Sequence, residues 1–200
     1  MNDTYCFLHL RGEDRNWQPL KETLDGHVVP RWKDAGIAPW GIWYGLFGVA
    51  SNELIVMAGT ESHAGLDDFT APLAGFADIQ RCELLTDTVR PVDTRPRTQP
   101  GLYVFRFFEV LHEDVEEIVR LSQEAWKSFE NVEDYRAEPQ GLFCQRDRTE
   151  ESGRMLLVTW YDGLASWQTS RLPPDSARDN FRRRHNLTRS TVAMATRLIS

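Results

Sequence analysis

The sequence predicts an α+β protein built from two tandem βαββαβ units, whose two sheets cover each other as a two-sheet barrel. Three observations predict it. The two halves of the 200-residue chain carry the same order of elements. A proline-containing polar stretch separates them. Each half places both helices on one sheet face, so the other face must be covered by something else.

The first half opens with a strand over residues 4–11. There Cys6, Leu8 and Leu10 alternate with Tyr5, Phe7, His9 and Arg11. The apolar set suits a helix layer. The alternate set is aromatic at one end and polar at the other, which suits a cleft lining. A helix follows over roughly residues 16–35, then strands at about 40–49 and 52–60, joined by a tight turn at Ser51-Asn52. A short helix at 62–75 and a strand at 79–91 complete the unit. The stretch from Val92 to Gly101 holds Pro96, Pro100 and three charged residues, and reads as an extended connection. The expected division is a first unit over 1–94, a linker over 95–101 and a second unit over 102–200.

The second half opens with the aromatic, β-branched run 101–110. Residues 112–130 begin with acidic residues, as a helix N-terminus prefers. Val115, Ile118, Val119, Leu121, Ala125, Trp126 and Phe129 then recur at helical spacing. Strands follow at 139–148 and 153–161. A helical region starts at Leu164, breaks at Pro173-Pro174 and restarts near Asp175, ending in basic residues. A strand over 190–199 closes the chain. The halves also share marks at an offset near 100. Tyr5-x-Phe7 answers Tyr103-x-Phe105, Pro39-x-Gly41 answers Pro139-x-Gly141, and Leu54-Ile55-Val56 answers Met155-Leu156-Leu157. Such marks point to duplication.

The formal net charge of −7 argues against nucleic acid as a partner, because phosphate contacts need a basic footprint. Cys6, Cys82 and Cys144 form no CxxC pair, which points to a reducing, cytoplasmic setting. The N-terminus does not read as a signal peptide, and no apolar run is long enough for a membrane helix.

The second half resembles a NIPSNAP-type domain of the dimeric α/β-barrel superfamily. The resemblance rests on Tyr103-Val-Phe-Arg106-Phe-Phe-Glu-Val110, on Glu124-Ala-Trp126 with Phe129, and on Ser166-Trp167 and Arg171 with Phe181-Arg-Arg-Arg184. The TVAMATRL strand fits too. The first half is similar in layout alone. The resemblance implies a ferredoxin-like barrel assembled from two domains, as a monomeric barrel or a homodimer, and it implies no single reaction. Superfamily relatives include cofactor-independent monooxygenases, haem-degrading enzymes and haem proteins. A shared fold does not choose among them.

No motif for nucleotide binding, serine hydrolysis or zinc proteolysis is present. His112 and Glu116 share a helix face, but acidic residues at a helix start need no metal, so no metal or cofactor is expected. The Arg182-Arg183-Arg184-His185 run reads either as an anion site or as a solvated helix end. Arg106 lies amid aromatic residues in a central strand, where a guanidinium needs a counter-charge. It serves either as an anchor for an anionic ligand or as half of an internal ion pair. Tyr103, Trp43, Trp160 and Tyr161 are the candidate aromatic walls of a ligand site, and His9 is a weak candidate base. For the tryptophans the competing role is core packing.

The functional expectation is a barrel that binds a small, partly aromatic or anionic molecule between its two sheets. One alternative is a cofactor-independent monooxygenase or haem-handling enzyme. Another is a protein-interaction or assembly module, which requires a solid interior and an apolar patch outside.

Overall fold

A computed structural model describes residues 4–199. It contains eight strands: β1 (Thr4–Arg11), β2 (Ala38–Phe47), β3 (Glu53–Thr60), β4 (Asp78–Arg90), β5 (Leu102–Leu111), β6 (Ala137–Gln145), β7 (Ser152–Tyr161) and β8 (Thr188–Ile199). Between them lie α1 (Gln18–Thr23), α2 (Val29–Asp34), α3 (Leu66–Thr70), α4 (Val115–Phe129), α5 (Leu164–Thr169) and α6 (Asp175–Asn186). Both halves therefore run βαββαβ, and the strands pair antiparallel in a closed ladder ordered β1-β3-β2-β8-β5-β7-β6-β4. The fold class is that read from the sequence.

The chain divides into two compact units. The first takes in the chain up to Asp87, Val92–Gln99 and the chain from Met194 onward. The second takes in Thr88–Pro91 and Pro100–Ala193. The long strands β4 and β8 thus each contribute to both units, and the change from one unit to the next falls inside strands as well as in the linker.

In the first unit, Leu8 pairs with Val56 and Cys6 with Ala58, so these side chains share one face of the sheet. That face packs on Leu20, Leu24, Val28 and Trp32, all buried, with Phe69 and Leu73 behind. The predicted helix over 16–35 is a composite. A π-helical turn over Leu24–Val28 separates α1 from α2, and Pro30 sits in the first turn of α2. A proline cannot donate to the carbonyl four residues back, and a widened turn absorbs the missing bond. Trp32 Nε1 donates to the Phe69 carbonyl at 3.0 Å and ties α2 to α3.

In the second unit, β5 pairs with β7 over its whole length, from Leu102 opposite Tyr161 to Leu111 opposite Ser152. The even-numbered residues of β5 share a face with the odd-numbered residues of β7. The buried stripe of α4 contains Val115, Ile118, Leu121, Ser122, Ala125, Trp126 and Phe129. This is the predicted stripe with Ser122 added and with Val119 at its edge.

Candidate functional site

The second unit holds a cavity of about 360 Å³ between its sheet and its helices. Its floor is Arg106 and Phe108 from β5, with Leu157, Thr159 and Tyr161 from β7. Cross-strand pairing fixes this set: Arg106 stands opposite Leu157, and Val104 opposite Thr159. Trp126 and Phe129 of α4 and Phe181 and Arg184 of α6 form the roof. Ser170, Arg171, Pro173 and His185 lie around it. The connection between α5 and α6 reaches the site because Pro173-Pro174 ends the helical run there and Pro174 caps α6 in an extended conformation.

Arg184 is the most buried cation of the site, 7% exposed. Its guanidinium lies over the rings of Phe108 and Phe181, at 5.3 and 4.9 Å. Its Nη1 donates to Ser122 Oγ at 3.1 Å, and Ser122 Oγ in turn donates to the Ile118 carbonyl at 2.7 Å. Arg106 makes no hydrogen bond or ion pair among the described residues. Burial lowers the pKa of both. Arg184 falls to about 10, burial first and the neighbouring Arg106 charge second, with the Tyr161 phenol acting the other way. Arg106 is lowered by burial and by the charge of Arg171, and Tyr161 again opposes the change. Two adjacent cations thus stand in an aromatic setting with no carboxylate between them. Elsewhere in this unit Arg90 pairs with Glu130, Arg120 with Glu117 and Arg182 with Asp179.

Cations placed this way repel each other and have lost part of their hydration. An anion entering the cavity reverses both costs. The hydroxyl of Tyr161, a residue 4% exposed, makes no hydrogen bond among the described residues, so it is available to a ligand. The aromatic walls suit an organic body behind the charge.

Of the residues singled out from the sequence, Arg106 and Tyr161 meet in this cavity. Tyr103 and Trp160 pair with each other and so lie on the opposite face of the same sheet. Both are buried, and Trp160 Nε1 donates to the Pro100 carbonyl at 3.0 Å. Trp43 belongs to the first unit, where it is fully buried beside Trp40 at 5.8 Å. His9 is engaged too. Its Nε2 lies 2.8 Å from Glu53 Oε2, Arg11 Nη2 donates to Glu53 Oε1 at 2.6 Å, and the Ala50 N–H donates to Glu53 Oε2 at 2.9 Å. Among the described residues no group of three or more His, Cys, Asp or Glu side chains is placed to hold a metal ion.

Arg184 was legible as one of the four basic residues at the end of α6 but not as a site residue. Its signal is helical spacing: Ala177, Phe181 and Arg184 recur at four and three residues and make one inward stripe. Arg182 and Arg183 point elsewhere and pair with Asp179 and Glu117. The basic run is thus a solvated helix end with one buried member.

No protein-family model and no curated protein matches the chain. Solved structures match its fold over nearly all of its length. An anthrone oxidase-like protein aligns with a TM-score of 0.63 at 11% identity, covering 100% of this chain and 92% of that one. A chlorite dismutase from Candidatus Nitrospira defluvii aligns at 0.62 and 11%, covering 99% and 91%. A candidate monooxygenase from Lactobacillus acidophilus NCFM aligns at 0.59 and 10%, covering 100% and 94%. The chain therefore has the fold of the dimeric α/β-barrel proteins. At these identities the likeness is one of fold.

Proposed function

We propose that the second unit binds a small organic anion, with an aromatic or apolar body, in the cavity between its sheet and helices. The observation that carries this reading is the pair Arg106 and Arg184, one half-buried and one buried, which line the same cavity with no carboxylate in its lining. A protein that needed these residues only for packing would do better with apolar ones of the same size. Arg106 and Arg184 hold the acidic group, Tyr161 and Thr159 offer hydroxyls beside it, and Phe108, Trp126, Phe129 and Phe181 enclose the body. This moves the expected ligand from the space between the sheets to the helix-facing side of one sheet. The resemblance to NIPSNAP-type domains is compatible with such a role. The three free thiols support a reducing, cytoplasmic setting.

A calorimetric titration with benzoate and with benzamide, its neutral analogue of equal size, tests the reading. Benzoate should bind and benzamide should not, and Arg106→Gln or Arg184→Gln should remove benzoate binding. Equal binding of the two compounds would refute the assignment.

A second reading is an enzyme, either a cofactor-independent monooxygenase or a haem-handling protein. The solved structures of the same fold favour it, since they include a candidate monooxygenase and a chlorite dismutase. Haem needs an axial ligand. His185, which lines the cavity, is exposed, and its ring makes no hydrogen bond among the described residues that would fix its tautomer. The donor set suits carboxylates better than iron. Haem addition with a visible spectrum separates the branches: a Soret band supports haem handling, and its absence leaves the organic anion.

A further inference from the structure

The cationic groups of the cavity form a series. Arg184 marks the buried end, Arg106 lines the same cavity, and Arg171 lines it at the exposed end. All three line the same cavity, and their exposure rises from Arg184, buried, through Arg106, half-buried, to Arg171, exposed. Arg171 is exposed, with its guanidinium 6.0 Å from the Trp167 ring. Like Arg106 and Arg184, it makes no ion pair among the described residues. One carboxylate held by Arg106 and Arg184 neutralises the buried end and leaves Arg171 uncompensated at the exposed end.

Resting on the reading of this cavity as an organic-anion site, we propose that it selects molecules carrying two separate carboxylates on one apolar body. The first sits between Arg184 and Arg106, and the second reaches Arg171. Arg106 serves both, and Arg171 is the residue that determines the preference. Because the series extends from a buried guanidinium to an exposed one, the second acidic group lies toward solvent. Spreading the two charges along the series matches each to a donor fork, which a single compact dianion does not do.

The test compares isophthalate, its monomethyl ester and phenyl phosphate by calorimetric titration of the full chain at low salt. The ester removes one charge and adds only a methyl group. An exposed charge-assisted contact corresponds to about a tenfold difference in affinity. Isophthalate should therefore bind about tenfold tighter than its ester. Arg171→Gln, a change at an exposed position, should erase that ratio. Equal affinities of isophthalate and ester in the unaltered protein would overturn the proposal and leave the organic-anion reading standing. So would a ratio that survives Arg171→Gln, or tighter binding of phenyl phosphate than of isophthalate. Failure of all three anions to bind would overturn the organic-anion reading itself.

Discussion

Replacing Arg184 by methionine is expected to raise the stability of the ligand-free protein while abolishing anion binding. The folded-state pKa of Arg184 is about 10, well below the ordinary arginine value. That difference corresponds to a cost of about 3 kcal/mol for keeping the cation in the folded state. Because the folded value lies below the unfolded one, the cost is complete at neutral pH. It is relieved only as pH rises through about 10, where the folded protein releases the proton before the unfolded chain does. Two favourable contributions oppose it. The contacts with Phe108 and Phe181 are worth about 1 kcal/mol together. The bond to Ser122 adds about 1 kcal/mol. Methionine keeps the apolar stem between the rings and adapts to the space left by the guanidinium. The net gain is about 1 kcal/mol, or a rise in Tm of about 2–4 °C for a chain of this size. Differential scanning calorimetry at low salt, without ligand, measures it. A fall in Tm of several degrees would refute the reasoning, because it would mean that Arg184 is a net structural contributor. Retained benzoate binding by this variant would refute it from the other side.

Anion affinity should decline as pH rises through about 10, where Arg184 loses its charge; titrations at pH 8 and 11 check this. Glu53→Gln should cost about 2 kcal/mol in urea unfolding, because the buried carboxylate accepts from His9, Arg11 and Ala50. Burial pushes the Glu53 carboxyl up, but those hydrogen bonds outweigh it and hold the group below its ordinary 4.5. Its stabilisation is therefore full above that value and is lost as pH falls through the lower, folded one, so the variant should show a weaker acid dependence of unfolding. Trp43→Ala should lower stability by about 3–5 kcal/mol, as expected for a fully buried tryptophan, and leave benzoate affinity unchanged. Gly141→Ala should destabilise strongly, because a Cβ there would lie 2.4 Å from the Phe143 ring; thermal unfolding measures it.

The order of elements was legible because its signals are local. Alternation in β1, the helical stripe of α4 and the proline breaks each act within a few residues. The shared marks have a physical reason that the sequence alone does not state. Pro39 and Gly41 lie at a register shift between β2 and β3, and Pro139 and Gly141 at the corresponding shift between β6 and β7. In each case the glycine leaves room for the ring two residues later. A Cβ on Gly41 would come within 2.1 Å of Trp43, and one on Gly141 within 2.4 Å of Phe143. A bulge needs the unpaired residue, and the ring needs the missing side chain. The sharing of β4 and β8 between the units was not legible, because nothing local distinguishes a strand that pairs with one neighbour along its whole length from one that changes neighbours midway.

The site was harder to read for a related reason. Whether Arg106 faces the helices or away from them is a single choice of strand face, and the aromatic residues around it in β5 fit either choice. The residue that decides it lies 78 positions later in the sequence. Arg184 is on the inward stripe of α6 with Ala177 and Phe181, so the helix carries a cation onto the sheet. A second cation, Arg106, meets it there, and no carboxylate of either element comes with them. Had α6 supplied an aspartate or glutamate at position 184, Arg106 would be half of an internal ion pair and the cavity would need no ligand. The demand for an anion therefore comes from the charge of one residue on the inner stripe of α6. Reversing it with Arg184→Glu should replace the demand for an anion by a closed salt bridge, giving a protein that no longer binds benzoate and whose stability no longer responds to anions.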